Sequence, residues 1–276
     1  PNYLHSIIAV DALNKGLNVF TEKPDAVSVA EVTRMKDAAE ASGKVLMAMR
    51  NNRHRTSAKF LKKYIADGKM GDIYCGRCGW IRRRGIPGKG GWFPTKEQSG
   101  GGPLIDIGTH ALDLTLWVMN NYKPKYCVGT TYHKLNKDTE QGNMWGNWDP
   151  DKFTVEDSAF GFVVMENGAT INLESAWALN MLDVREAVTT LCGTKAGGDM
   201  NDGLRINGIR NNSQYVLRPT LNPQGAAFYE GASAGDPASV EAAQWINAIL
   251  TDTDPCVLPE QAYTVTRILE GIYESA

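Results

Sequence analysis

Leu4, Ile7, Ile8 and Ala12 recur at helical spacing in "PNYLHSIIAVDALNKG", and Gly16 supplies a stop. "LNVFTEK" then reads as an apolar strand, "SVAEVTRMKDAAEASG" as a second helix and "KVLMAM" as a second buried strand. Ser28 and Glu31 have the spacing of a capping box at the start of that second helix, and Gly43 closes it. Helix, strand, helix, strand in this order predicts a parallel sheet with crossover helices. The alternation ends at Arg50, too early for a free-standing doubly wound domain of ordinary size. Residues 1–50 therefore read as the second half of a doubly wound domain.

Past Arg50 the rhythm changes. A helix from Thr56 to Asp67 stops at Gly68, a strand runs through "DIYCGRCGWI", and "RRRGIPGKGGWFPTKEQSGGGP" forms a glycine- and proline-rich loop. The periodic segment "LIDIGTHALDLTLWVM" predicts one helix over 104–119. Strands dominate from Lys125 onward: "KYCVGTTYH", "DSAFGFVVM", "ATINLESAWAL" and "DVREAVTTLCG", with "ENG" as a hairpin turn. Asp236 with Pro237, and then Pro259, open two final helices. The expected fold is thus α/β plus α+β, a Rossmann remnant over 1–50 followed by a domain over 51–276 with a large, mostly antiparallel open sheet. The last helix is expected to pack back toward the Rossmann part. Phe160, Phe162 and Val164 alternate with Ala159, Val163 and Met165, so both faces of that strand are apolar. An apolar open face predicts a homo-oligomer, a dimer or tetramer, built through it.

Composition narrows the partners. The 276-residue chain is 42% hydrophobic with a net charge of -2 and no long basic run, which offers no footprint for nucleic acid or an anionic membrane. No apolar stretch is long enough to span a bilayer. The five cysteines are odd in number and scattered, as free thiols in a reducing compartment would be, so the cytoplasm is expected. Cys75 and Cys78 lie three apart on a strand, and their side chains therefore point to opposite faces.

Three residues carry the candidate chemistry. Lys23 stands at a strand tip before Pro24, and strand ends in α/β sheets are where ligands bind. The same position also describes an ordinary strand-to-loop junction. Asp106 and His110 fall four apart on the predicted helix, with Asp113 and Trp117 continuing the same face. A neutral histidine beside a carboxylate can move a proton near neutral pH, although the spacing equally fits a helix-surface pair. The "SGGG" run just before would let backbone or ligand approach the first turn. No third and fourth ligand stand at metal-binding spacing, so no metal is expected. Arg82, Arg83, Arg84, Trp92, Trp145 and Trp148 lie in loops nearby; stacking rings and charged donors are how sugars are commonly held, while loop packing or a subunit contact would account for the tryptophans as well.

"EKP" at a strand end, with "GGGPLIDIGTHALD" about eighty residues later, resembles the glucose-fructose oxidoreductase, inositol dehydrogenase and rhizopine-catabolism (Gfo/Idh/MocA) family of NAD(P)-dependent sugar and cyclitol dehydrogenases. "PNYLH", "NNRHR" and "VTRILEGIYESA" are similar to further family segments, so the likeness spans nearly the whole chain. The resemblance implies a catalytic trio of Lys23, Asp106 and His110 and a cis Lys23–Pro24 peptide. It also implies NAD or NADP contacts from Asn2, His5, Glu22, Lys23 and Asn52, and substrate contacts from Arg84, Trp92 and Trp148.

The chain departs from the family pattern in lacking a strand followed by G-x-G-x-x-G; "GIPGKGG" is a weak match in the wrong place. The parent protein is expected to carry roughly a hundred further residues upstream. The expected activity is hydride transfer between a nicotinamide and a secondary hydroxyl of a sugar, sugar derivative or cyclitol. Reduction of a keto-sugar, or transient oxidation before an elimination, would use the same trio. A non-catalytic sugar-binding or regulatory protein on the same scaffold is the alternative from another class, and a phosphate loop upstream would separate the two.

Overall fold

The computed structural model describes residues 1–89, 91–140, 142–221 and 236–276. α1 (Tyr3–Asn14), β1 (Val19–Thr21), α2 (Val29–Ser42) and β2 (Leu46–Ala48) form in the predicted order. β1 and β2 pair in parallel, Val19 opposite Leu46, as two strands joined by a crossover helix must. Ala9 and Leu13 of α1 bury themselves against Val32 and Met35 of α2 and Leu46 of β2. The α2 cap is half of the expected box. Ser28 Oγ accepts the Glu31 amide at 3.3 Å, but the Glu31 carboxylate accepts the Val27 amide instead of the Ser28 amide.

A 3-10 turn (Asn51–His54) leads into α3 (Thr56–Ala66), β3 (Ile73–Ile81), the short α4 (Lys96–Ser99) and α5 (Thr109–Met119). The expected single helix over 104–119 is therefore not uniform. It begins as a π turn, Leu104–Gly108, and tightens to α-helix only at Thr109. Such a wider turn rotates the residues before it out of register with those after it. Seven strands follow: β4 (Pro124–Tyr132), β5 (Ser158–Met165), β6 (Thr170–Ala176), β7 (Arg185–Gly193), β8 (Ala196–Asp199), β9 (Arg205–Arg210) and β10 (Ser213–Leu217). α6 (Pro237–Thr251) and α7 (Pro259–Ser275) close the chain. Asp236 caps α6 by accepting the Ser239 amide at 3.3 Å.

The large sheet has the order β10-β9-β8-β7-β3-β6-β5-β4. Its pairings are antiparallel except β3 with β6, which run parallel because the chain passes through α5, β4 and β5 before returning beside β3. α5 and α7 cover one face, where Leu112, Leu116, Leu173, Leu191, Ile268 and Ile272 share a core. The other face leaves Tyr126, Val128, Tyr132 and Phe162 exposed. α7 also reaches α2, through the Val29 amide to Glu270 at 2.7 Å and Lys36 to Glu260 at 3.6 Å. All five cysteines are free: Cys78 is buried in the core, while Cys75 faces the other way, opposite Cys192 of β7. Among the described residues no helix is long and apolar enough to cross a membrane.

Candidate active site

β1 ends at Thr21, and the next residues turn through a cis Lys23–Pro24 peptide. From there the Lys23 side chain crosses to the start of α5. Its ammonium donates to Asp106 Oδ1 at 2.6 Å and to the Asp106 carbonyl at 3.0 Å. The other carboxylate oxygen, Oδ2, accepts the Trp177 indole N–H at 2.9 Å. Both oxygens of Asp106 are thereby committed, and neither turns to His110. The π turn explains the separation, since Asp106 and His110 are no longer stacked as i and i+4 of one α-helix.

His110 instead meets Asn52, whose side-chain amide lies 3.3 Å from Nδ1. Its ring packs at a tilt against Trp80, centroids 5.4 Å apart. Burial foremost, and then the cations Lys23, Arg50, Arg55 and Arg82, hold the imidazole well below the ordinary histidine range. It is therefore neutral at neutral pH. The expected face shared with Asp113 and Trp117 does not exist as a surface. Asp113 is buried in a double ion pair with Arg53, at 2.6 and 2.8 Å, and lies 3.2 Å from Arg50 Nε. Arg50 in turn pairs with Asp25, just beyond the cis peptide. This buried network fixes the strand tip, the 3-10 turn and α5 against one another.

The glycine run before the π turn is spent on protein contacts. A Cβ on Gly101 would lie 2.2 Å from the Tyr273 hydroxyl, and one on Gly102 would lie 2.2 Å from the Glu156 carbonyl. The Glu156 carboxylate accepts the Gly102 and Leu104 amides at 2.9 and 3.1 Å and the Tyr273 hydroxyl at 2.7 Å. The loop that aims Asp106 is thus held by α7 and by the segment before β5.

Lys23, Asp106 and His110 line one cleft of about 490 Å³, together with Trp80, Arg82 and Trp92. Cavities of about 300–1,000 Å³ are typical of small-molecule sites. Trp92 stacks on Phe93 with ring centroids 4.0 Å apart. Pro87, Gly88, Lys89 and Gly91 of "GIPGKGG" form part of the wall, while Gly90 lies outside the described residues. Two expected substrate contacts are elsewhere. Trp148 is only 6% exposed, donates to the Asn136 carbonyl at 2.7 Å and packs edge-on against Phe153, because its segment folds inward as a core anchor. Arg84 lines a neighbouring cavity and bonds the Arg83 carbonyl and Asn180, both at 2.6 Å.

Asn2 and His5 sit at the start of α1 beside the strand tip. Asn2 donates to the Ser99 carbonyl at 2.8 Å, and His5 Nδ1 is 2.7 Å from the Pro24 carbonyl. The Glu22 carboxylate accepts the Lys23 amide at 3.1 Å. Trp177 and Trp80 hold Asp106 and His110 without having been marked by any motif. Trp177 simply continues the strand pattern of β6, and only pairing with β3 brings it under the π turn. Among the described residues no group of three or more histidine, cysteine or acidic side chains is arranged to hold a metal ion.

Comparison with known proteins bears on the family of the chain. Residues 59–197 match the GFO/IDH/MocA C-terminal domain, and residues 1–49 match the NAD-binding Rossmann fold of the same oxidoreductase family. D-glucoside 3-dehydrogenase of Escherichia coli (strain K12) is 36% identical over 200 residues, covering 72% of this chain and 56% of that protein. A putative UDP-kanosamine synthase oxidoreductase subunit of Amycolatopsis mediterranei (strain S699) is 35% identical, covering 64% of this chain and 49% of that one. The chain spans about half the length of these curated relatives. Among solved structures, levoglucosan dehydrogenase in complex with NADH and levoglucosan superposes with a TM-score of 0.83 at 22% identity, over 100% of this chain and 76% of the other. At that identity the likeness speaks for the fold alone. With two domain models of one family matched in order over residues 1–49 and 59–197, the chain belongs to the GFO/IDH/MocA oxidoreductase family.

Proposed function

We propose that the protein containing this chain transfers a hydride between a nicotinamide dinucleotide, NAD or NADP, and a secondary hydroxyl of a sugar, sugar derivative or cyclitol. The observation that carries this reading is the convergence of Lys23, Asp106 and His110, from two separate elements, on one cleft. The names of the relatives, which include a glucoside dehydrogenase and an inositol dehydrogenase, support the substrate class.

Oxidising a secondary alcohol requires its hydroxyl proton to leave at about the same time as the hydride. The nicotinamide, when bound, supplies the hydride acceptor. The donor set of the cleft suits such a ring: an ammonium already neutralised by Asp106, a neutral imidazole and aromatic walls. His5 and Glu22 at the strand tip, Asn52 against His110 and Asn2 at the start of α1 would flank the cofactor. His110 takes the proton. The Asn52 amide nitrogen lies 3.3 Å from Nδ1 in the structure; a flip of that amide, which exchanges two nearly isosteric groups, puts its oxygen there to accept from Nδ1–H and leaves the Nε2 lone pair free for the proton. Lys23 is held by Asp106 at a fixed position and steadies the oxygen as negative charge develops on it. Trp92 offers a flat face to the sugar ring.

Five free cysteines fit a reducing compartment, so we place the protein in the cytoplasm. The exposed apolar strip Tyr126, Val128, Tyr132 and Phe162 fits a second copy of the chain, giving a homo-oligomer through the open sheet face. The direct test of the activity is the full-length protein incubated with NAD or NADP and a panel of hexoses, glycosides and inositols, read at the absorbance of the reduced nicotinamide. Turnover abolished in His110→Ala, with cofactor affinity retained, is the expected result. No reduction of either cofactor with any member of the panel would refute the reading.

A further inference from the structure

A second cavity of about 570 Å³ opens beside the catalytic cleft, and Arg82, Met144 and Trp145 line both. The two spaces therefore adjoin at these three side chains, and together they are the inner and outer halves of a trough. Its outer half is unusual in two respects.

The first is apolar exposure. Met144 is 82% exposed, Leu182 86%, Val184 52% and Trp145 46%, and they face the trough from two different loops. Side chains of this kind, gathered at the mouth of a polar site, mark a place where something apolar is bound. The second is charge. Arg82, Arg83 and Arg84 have no carboxylate partner among the described residues. The Arg82 guanidinium lies over both Trp80 and Trp145, at 5.3 and 5.1 Å, and Arg84 bonds only neutral groups. Arg185 on the same wall is different, for Asp183 at 2.5 Å and Glu174 at 3.8 Å neutralise it. Glu186 is the one carboxylate lining this cavity, and among the described residues it forms no ion pair with Arg82, Arg83 or Arg84. Three guanidinium groups without an ion pair thus face one carboxylate beside an apolar wall, and the outer half keeps an excess of positive charge. An aliphatic group satisfies the wall and leaves the arginines idle; a simple inorganic anion does the reverse. A planar ring bearing an acid satisfies both, since guanidinium groups stack on aromatic faces and chelate carboxylates or phosphates.

We infer that the outer cavity is a subsite for an aromatic, anionic substituent carried by the sugar, so that the preferred substrate is an acid-bearing aryl glycoside and not a free monosaccharide. This rests on the sugar-oxidising reading of the inner cleft and adds a specificity to it. Leu182, Val184 and Arg83 line the outer cavity only, which makes the two halves separable by mutation.

The probes are methyl, phenyl and 4-carboxyphenyl glucoside. Their binding to the full-length protein is followed by tryptophan fluorescence, and their oxidation by nicotinamide reduction. Affinity is expected to rise by about tenfold from methyl to phenyl and again from phenyl to 4-carboxyphenyl. Arg83→Gln should remove most of the second step. Leu182→Asp, at a side chain exposed enough for the fold to tolerate it, should remove both steps and leave methyl glucoside unchanged. Equal binding of the three glucosides overturns the inference even if all are oxidised. So does a Leu182→Asp variant that changes the oligomer mass while keeping the preference, because a second copy of the chain would then be covering the patch. Absence of oxidation with ordered binding intact would count against hydride transfer and leave the subsite standing.

Discussion

Lys23 and Asp106 stand 83 positions apart in the chain, and their side chains meet at 2.6 Å. The pair ties the tip of a strand in the small parallel sheet to the π turn under the large sheet. Next to the pair, the buried Arg50, Arg53, Asp25 and Asp113 network ties the segment after the cis peptide to the 3-10 turn and to α5.

Replacing Lys23 by Met keeps the length of the side chain and removes its charge. If the ammonium steadies a developing alkoxide, turnover falls on the order of a hundredfold or more. Steady-state kinetics of the full-length variant decide this, and a Lys23→Met enzyme within threefold of wild type would take Lys23 out of the mechanism.

The depressed His110 imidazole has a consequence for the pH profile. A base whose protonation is suppressed by burial and by Lys23, Arg50, Arg55 and Arg82 stays competent well into the acid range. The acid limb of kcat/KM is therefore expected below the ordinary histidine pKa of about 6.5. Arg82→Gln, removing one of the cations, should move the limb upward. A wild-type limb at or above 6.5 would contradict the electrostatics described for the cleft.

Glu241, buried in α6, accepts the Arg50 amide, and burial pushes its carboxyl up to about 7 despite that hydrogen bond and the nearby arginines. Its folded pKa lies above the unfolded value of about 4.3, so between those values the folded state holds more protons. The contribution of Glu241 to stability is thus fully present below pH 4.3 and is lost as pH rises through 7. Glu241→Gln, which does not titrate, should gain stability relative to wild type between pH 5 and pH 8. Urea midpoints measured across that range give the sign, and a gap that narrows or reverses would show that the carboxylate is stabilised in the fold. His54, held down at about 4 chiefly by burial, acts in the opposite sense, with stability lost as pH falls below about 6.5.

The open sheet face gives a prediction for assembly. Val128 and Phe162 are paired across β4 and β5 and both are exposed. Val128→Asp together with Phe162→Glu would place two charges in an apolar contact between copies. Light scattering should then register a fall from oligomer to monomer mass with the far-ultraviolet spectrum unchanged. A wild-type protein already monomeric at micromolar concentration would dispose of the interface.

Local chemistry along the chain determined a good deal by itself. The Gly43 stop, the Asp236 cap and the alternation in β5 are short-range effects, and each element they mark is present; the helix read from Leu4, Ile7, Ile8 and Ala12 is present too, but it buries Ser6, Ala9 and Leu13 and leaves Ile7 and Ile8 exposed, because the face it packs is set by α2 and not by its own pattern. The strand-tip position of Lys23 and the motif around Asp106 and His110 were legible for the same reason, since both are contiguous segments. What sequence could not supply were relationships created by pairing distant strands. Spacing suggested that Asp106 orients His110; the π turn and the parallel β3–β6 pairing instead brought Trp177 and Lys23 to Asp106 and left Asn52 for His110. Trp148 and Arg84 sit in loop sequences that look alike as binding residues, yet one folds inward as a core anchor and the other lines the outer cavity. The glycines at 101 and 102 appeared free to admit a ligand, and they are small because Tyr273 and Glu156, from remote parts of the chain, already fill the space. Periodicity and capping act over a few residues and can be read in order; burial, charge pairing and close approach depend on which surfaces meet, and only the tertiary structure decides that.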